Sequence, residues 1–185
     1  MKSVSHIFGG EAKVKVMRLF VFNREVMFSA TTVAERTKEK PSLVRKELLN
    51  LSKAGLIRKR AKGYILNDAY RYLPAVEHFL IDASPLSQKE IIKKLSRAGT
   101  LKLLLVSGVF MHDPEARVDL LIVGDHLKQG SLNTAISALE SEIGRELRYS
   151  AFETPDFRYR LGIYDKLIRD ILDYPHEKLV NKIGA

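Results

Sequence analysis

Two groups of residues in this chain have types and spacings that could do chemistry. Ser42, Arg45, Lys46 and Lys53 recur at intervals that bring them to one side of a helix of 3.6 residues per turn. Arg60 and Lys62 follow on what reads as the tip of a hairpin, so a cationic surface that meets an anion is one expectation. The second group lies in LKLLLVSGVFMHDPEARVDLLIVGD, Leu101 to Asp125, which holds Ser107, Gly108, Asp113, Glu115, Arg117, Asp119 and Asp125. Other chemistry is excluded or carries no pattern. The chain has no cysteine, which removes thiolate catalysis, disulfides and cysteine zinc sites. His6, His78, His112, His126 and His176 are scattered without metal-ligand spacing. Gly-x-Ser-x-Gly, P-loop and dinucleotide fingerprints are absent. No cofactor and no metal are expected.

The elements that must position the cationic group lie between Thr31 and Asn67. Thr32 followed by Glu35 reads as a capping box for a short helix carrying Val33, Ala34 and Thr37. Lys38 to Lys40 form a turn, and Pro41 suits the first residue of a second helix, whose apolar face is Val44, Leu48 and Leu51. Gly55 ends it. Leu56 to Arg60 and Tyr64 to Leu66 read as strands joined at Ala61-Lys62-Gly63. Upstream, Met1 to Gly10 reads as a disordered or loosely attached arm, Glu11 to Phe22 as a helix with a wide apolar surface, and Val26 to Phe28 as a short strand or a lead into the next helix.

The remainder alternates. Asn67 to Ser84 is a connector with helical spacing near Pro74, either packed on its own domain or contributing to a dimer contact. Pro85 precedes a helix over Leu86 to Arg97. Leu101 to Val106 and Val118 to Val123 are too apolar to be half exposed and read as central strands. A helix over Ser131 to Ile143, a strand over Arg148 to Glu153, helical spacing from Pro155 to Asp173 with a break near Gly162, and a last short element over Lys178 to Ile183 complete the chain. Phe152, Phe157, Tyr159 and Tyr164 are read as core or a dimer face rather than a base-stacking platform.

Charge is divided unevenly. Residues 1–70 hold 15 Lys and Arg against 6 Asp and Glu; subtracting from the totals of 31 and 22 leaves 16 against 16 for residues 71–185. The whole excess of +9 therefore lies in the first part, which argues for a polyanion partner at that end. No apolar run approaches the roughly 20 residues that span a bilayer and no signal-peptide core opens the chain. No membrane association and a cytoplasmic location are expected.

The segment Lys13 to Asn67, and LVRKELLNLSKAGLIRKR above all, resembles the winged helix-turn-helix domains of bacterial and archaeal transcriptional regulators. The resemblance implies that the second helix enters the major groove of double-stranded DNA, with Ser42, Arg45 and Lys46 facing bases and phosphates, Lys53 on the same face, and Arg60 and Lys62 on the wing. A solvated charged face is the plain alternative. Two-fold operators ask for two-fold proteins, so a homodimer is expected.

From about Pro85 to Ile183 the order helix, strand, loop, strand, helix, strand, helix resembles the minimal nucleotidyltransferase domain of the DNA polymerase beta type. In active members a Gly-Ser turn follows the first strand and Asp-x-Asp opens the second, holding magnesium against the triphosphate. Here Ser107-Gly108 stands in reversed order, Asp119 matches the second aspartate and Arg117 replaces the first. A guanidinium does not ligate magnesium and pairs with a neighbouring carboxylate instead, so Asp119 is expected beside Arg117 or a nearby lysine. Asp113, Glu115 and Asp125 lie at the wrong spacing to replace it. The resemblance leaves a degenerate pocket of Ser107, Gly108, Arg117 and Asp119 for a nucleotide or another anionic effector.

The expectation is an α+β chain: a winged helix over 1–67, a helical connector over 68–84, and a nucleotidyltransferase-like domain with a small mixed sheet over 85–185. It would act as a transcriptional regulator, not an enzyme, using the second domain for dimerisation, effector sensing or docking. A nucleotidyltransferase acting on a protein or nucleic acid, and an adaptor using the winged helix for protein contacts, are the alternatives.

Overall fold

The periodicities fold as helices and strands in the computed structural model, which describes residues 5, 7–83, 86–111, 113 and 115–184. Pro85, His6, His112 and the first four residues of the expected arm lie outside the described residues. The described chain is α+β, with eight α-helices, a two-stranded sheet and a four-stranded sheet. It divides into two compact units, Met1–Ser87 with Ser137–Arg145, and Gln88–Ile136 with Glu146–Ala185.

In the first unit, α1 (Glu11–Val21), α2 (Ala30–Thr37) and α3 (Pro41–Lys53) pack against one another. They share a core of Val16, Leu19, Phe20, Val33, Val44, Leu48 and Leu51. The cap of α2 is Ser29 and not Thr32: the Ser29 hydroxyl accepts from the Thr32 N–H at 3.1 Å. The helix starts three residues earlier than the Thr32-Glu35 pair suggests, at Ala30 in place of Val33, because Ala30 is a good helix former behind an extended serine. Pro41 is the first residue of α3, as its missing N–H allows. At the other end Leu56 N–H donates to Leu51 O at 3.0 Å and Gly55 N–H to Ser52 O at 3.1 Å, the paired bonds of a Schellman cap.

Strands β1 (Ile57–Arg60) and β2 (Gly63–Leu66) form an antiparallel hairpin with Arg60 opposite Gly63. A third segment joins it. Phe28 bridges to Tyr64 through reciprocal backbone bonds of 2.9 Å. Gly63 permits this approach, since a Cβ there would collide with the Phe28 carbonyl. Helix α4 (Leu73–Asp82) buries Leu73 and Leu80, with Pro74 in its first turn. The expected loose arm is not loose where it is described: Phe8 packs on Phe79 with ring centroids 5.2 Å apart and joins the unit's core. Apolar Phe8 buries more than a solvated arm would allow.

Within the same unit Lys15, 7% exposed, is held between Glu39 at 3.1 Å and Glu142 at 3.2 Å. Burial alone would lower the lysine, and the two carboxylates more than offset it, leaving its pKa raised. Arg18 donates to the Ala83 carbonyl. Burial pushes this guanidinium down to about 10, with Glu142 opposing.

The second unit begins with α5 (Gln88–Leu95), shorter than the stretch Leu86 to Arg97. Strands β3 (Thr100–Val106), β4 (Leu120–Asp125), β5 (Tyr149–Glu153) and β6 (Glu177–Asn181) form a mixed sheet in the order β5-β4-β3-β6. Pairing is antiparallel except between β4 and β5. The two central strands are buried on both faces almost throughout, which is why their sequences run apolar without alternation. Helix α6 (Gln129–Ile143) connects β4 to the parallel β5. The helical stretch after Pro155 is two helices, α7 (Thr154–Gly162) and α8 (Lys166–Asp173). The break comes at Tyr164, in left-handed conformation, after which Asp165 caps α8. Phe157, Ile168 and Ile171 cover Leu103, Leu105, Leu121 and Val123 of the sheet.

Candidate functional site

Helix α3 presents Ser42, Arg45, Lys46 and Lys53 to solvent, and all four are exposed. The apolar face opposite is held by Val44, Leu48 and Leu51 against α1 and α2, so the orientation of the cationic face follows from core burial. Arg58, Lys59 and Arg60 of β1 and Lys62 at the tip are also exposed. Arg58 is tied to the Asn67 side chain. Among the described residues Arg45, Lys46, Lys53, Lys59, Arg60 and Lys62 make no ion pair, whereas Lys13 and Lys15 on α1 are paired with Glu47 and with Glu39 and Glu142. Six cations that make no ion pair are thus gathered on one helix face and one hairpin of the same unit. Such a surface attracts a polyanion and, on a single exposed helix, can enter a groove about as wide as a helix.

One residue of this face was not visible as a candidate in the sequence. Leu49 is 56% exposed and stands seven residues after Ser42, four after Arg45 and four before Lys53, in the middle of the cationic face. Its place is legible only once the inward face is assigned to Val44, Leu48 and Leu51. Leu43, 41% exposed, lies to one side.

The second group of residues is organised around Asp119, which is 1% exposed. Antiparallel pairing of β3 and β4 puts Ser107-Gly108 and Asp119 at the same end of the sheet, with Ser107 N–H donating to Asp119 O at 3.0 Å. Gly108 has φ +53, and a Cβ on it would enter the Asp119 carboxylate. Both carboxylate oxygens are engaged. Oδ1 accepts from Val109 N–H at 2.9 Å and Oδ2 from Arg148 N–H at 2.8 Å. The Arg148 guanidinium adds contacts at 3.3 and 3.4 Å.

The expected pairing of Asp119 with Arg117 or a lysine is therefore corrected: its partner is Arg148, and Arg117 reaches Asp170 at 3.4 Å. The reason is register. Residues 117–119 precede β4, so the alternation of an extended strand does not align the two side chains, while parallel pairing of Leu120 with Tyr149 brings Arg148 beside Asp119. Ser107 is buried and its hydroxyl donates to Pro175 O at 2.7 Å. Of the four residues assigned to a degenerate pocket, Ser107, Gly108 and Asp119 come together with their polar atoms occupied, and Arg117 is drawn to α8.

The other carboxylates are dispersed. Asp113 accepts from Glu115 N–H at 3.0 Å and Asp125, at the far end of β4, pairs with Lys102 at 3.2 Å. His78 pairs with Asp82 at 3.1 Å and His176 Nδ1 lies 2.9 Å from Tyr174 O. Among the described residues no three of His, Cys, Asp and Glu converge as metal ligands, and no helix is long and apolar enough to cross a membrane. Of the aromatic cluster, Phe157 is core and Phe152 packs on it, while Tyr159 and Tyr164 are exposed. Arg160 lies over the Phe152 ring at 5.1 Å. No family model, curated protein or solved structure matches the chain.

Proposed function

We propose that this protein is a DNA-binding transcriptional regulator whose first unit is a winged helix. Helix α3 lies in the major groove and the β1–β2 hairpin tracks the phosphate backbone. The observation that carries this reading is the set of exposed, unpaired cations on α3 and the hairpin, Arg45, Lys46, Lys53, Arg60 and Lys62, in the part of the chain that holds the whole net charge. The order of three helices and a hairpin, with Phe28 adding a third extended segment beside Tyr64, supports the winged-helix reading.

The second unit is a degenerate nucleotidyltransferase-like domain that serves dimerisation, effector sensing or docking. Its order of elements and mixed sheet support the likeness. The engagement of both Asp119 carboxylate oxygens by Val109 and Arg148 speaks against magnesium-dependent transfer at that position. The protein acts in the cytoplasm as a two-fold dimer on double-stranded DNA.

Fluorescence anisotropy with a labelled duplex tests the central claim. The protein raises the anisotropy at low salt, and Arg45→Ala with Lys46→Ala abolishes the rise. Absence of binding at low salt would instead favour a protein-interaction adaptor. Transfer from labelled nucleoside triphosphate with magnesium, lost in Asp119→Asn, would favour the enzyme.

A further inference from the structure

An exposed leucine alone calls for no explanation, but the position of Leu49 does. It is 56% exposed at the centre of a face whose other members are Ser42, Arg45, Lys46 and Lys53. The core is complete without it, since Val44, Leu48 and Leu51 fill the inward face. A polar residue there would keep helix propensity and lower the cost of exposed apolar surface. An apolar group ringed by cations suits a partner that is itself anionic at its edges and apolar at its centre. The floor of the DNA major groove has that character at one base only, since thymine alone carries a 5-methyl group there between two phosphate walls.

We propose that Leu49 is a specificity-determining residue that packs on the 5-methyl group of a thymine, while Arg45, Lys46 and Lys53 around it engage phosphates and purine edges. This rests on the DNA-binding reading above. Asn50, the neighbouring amide on α3, donates to Glu47 at 3.2 Å and is partly committed within its own helix. Leu49 is therefore the side chain best placed to distinguish bases without a hydrogen bond.

The test uses the full chain and a pool of random-sequence duplexes. Wild-type protein selects a preferred site, and each thymine of that site is then replaced singly by deoxyuridine, which removes the methyl group and leaves the pairing edge intact. One replacement weakens binding about fourfold, the equivalent of about one buried methyl group, and the others leave it unchanged. Leu49→Ala, at a position outside the buried core, keeps the wild-type thermal midpoint and binds the thymine and deoxyuridine duplexes equally. Insensitivity of the wild type to every deoxyuridine replacement overturns the proposal, as does an undiminished thymine preference in Leu49→Ala. A fall in sedimentation weight in Leu49→Ala with DNA preference intact overturns it as well, by assigning the leucine to a protein contact. Failure of the wild type to enrich any duplex would sink the DNA-binding reading itself, which the deoxyuridine comparison leaves standing.

Discussion

Arg45 and Lys46 occupy adjacent exposed positions but differ in what they can do at a duplex. A guanidinium forks onto two acceptors of a guanine edge, whereas an ammonium is a point charge suited to a phosphate. Arg45→Ala should cost about 1–3 kcal/mol of affinity where a base is read and relax preference at that base. Titration of selected and scrambled duplexes checks this, and equal losses on both would reassign Arg45 to a phosphate. Asp119 belongs to stability. Its carboxylate is fully buried and accepts two backbone N–H groups, so Asp119→Asn turns an amide donor toward Val109 or Arg148. The loss should be about 2–3 kcal/mol, with the half-exposed Arg148 guanidinium contributing the smaller share because solvent screens it. Urea denaturation measures it, and an unchanged midpoint would refute the assignment.

At the scale of elements, the hairpin depends on the approach of β2 to Phe28. Gly63→Ala would force a methyl group against the Phe28 carbonyl, so the Phe28–Tyr64 bridge should break. Faster amide exchange at Phe28 and Tyr64 would report it, with α5 and β3 unaffected. Helix α1 depends on charges as well as packing. In Glu142→Gln, Lys15 keeps only Glu39 and Arg18 loses its opposing carboxylate, a change worth about 3 kcal/mol for a buried pair. The sign in pH follows from Lys15, whose folded pKa is raised. Its stabilisation is complete below the unfolded value of 10.5 and is lost as pH rises through the folded value. Glu142→Gln should bring that alkaline loss to lower pH, which thermal melts across alkaline buffers would record.

These same elements mark what was legible in the sequence. The existence and order of helices and strands followed from local periodicity and from Pro41 and Gly55, whose effects act within a turn. The inward and outward faces of α3 were readable for the same reason. Contacts set by register were not. Arg148 is 29 positions from Asp119 and meets it only because β4 and β5 pair in parallel. Glu142 likewise reaches Lys15 across more than a hundred residues of chain. Leu49 is not legible in the sequence because one leucine among leucines carries no signal until the buried ones are assigned.

For the molecule as a whole, the division of charge makes a quantitative claim. Residues 1–70 carry +9 and the remainder sums to zero, so the electrostatic part of DNA binding should come from the first part alone. Each phosphate neutralised on B-DNA contributes a slope of about −0.9 to log K against log salt. With Arg45 reading a base, if Lys46, Lys53, Arg60 and Lys62 each neutralise one, the full chain should show a slope of about −3.6 per bound protomer. Lys62→Ala should reduce its magnitude by about one unit. Exposed lysines of the neutral part serve as the control, so Lys89→Ala and Lys93→Ala on α5 should leave the slope unchanged. Anisotropy titrations over a range of salt concentrations separate the outcomes: a slope insensitive to Lys62 but reduced by Lys89 or Lys93 would move the binding surface away from α3 and the hairpin.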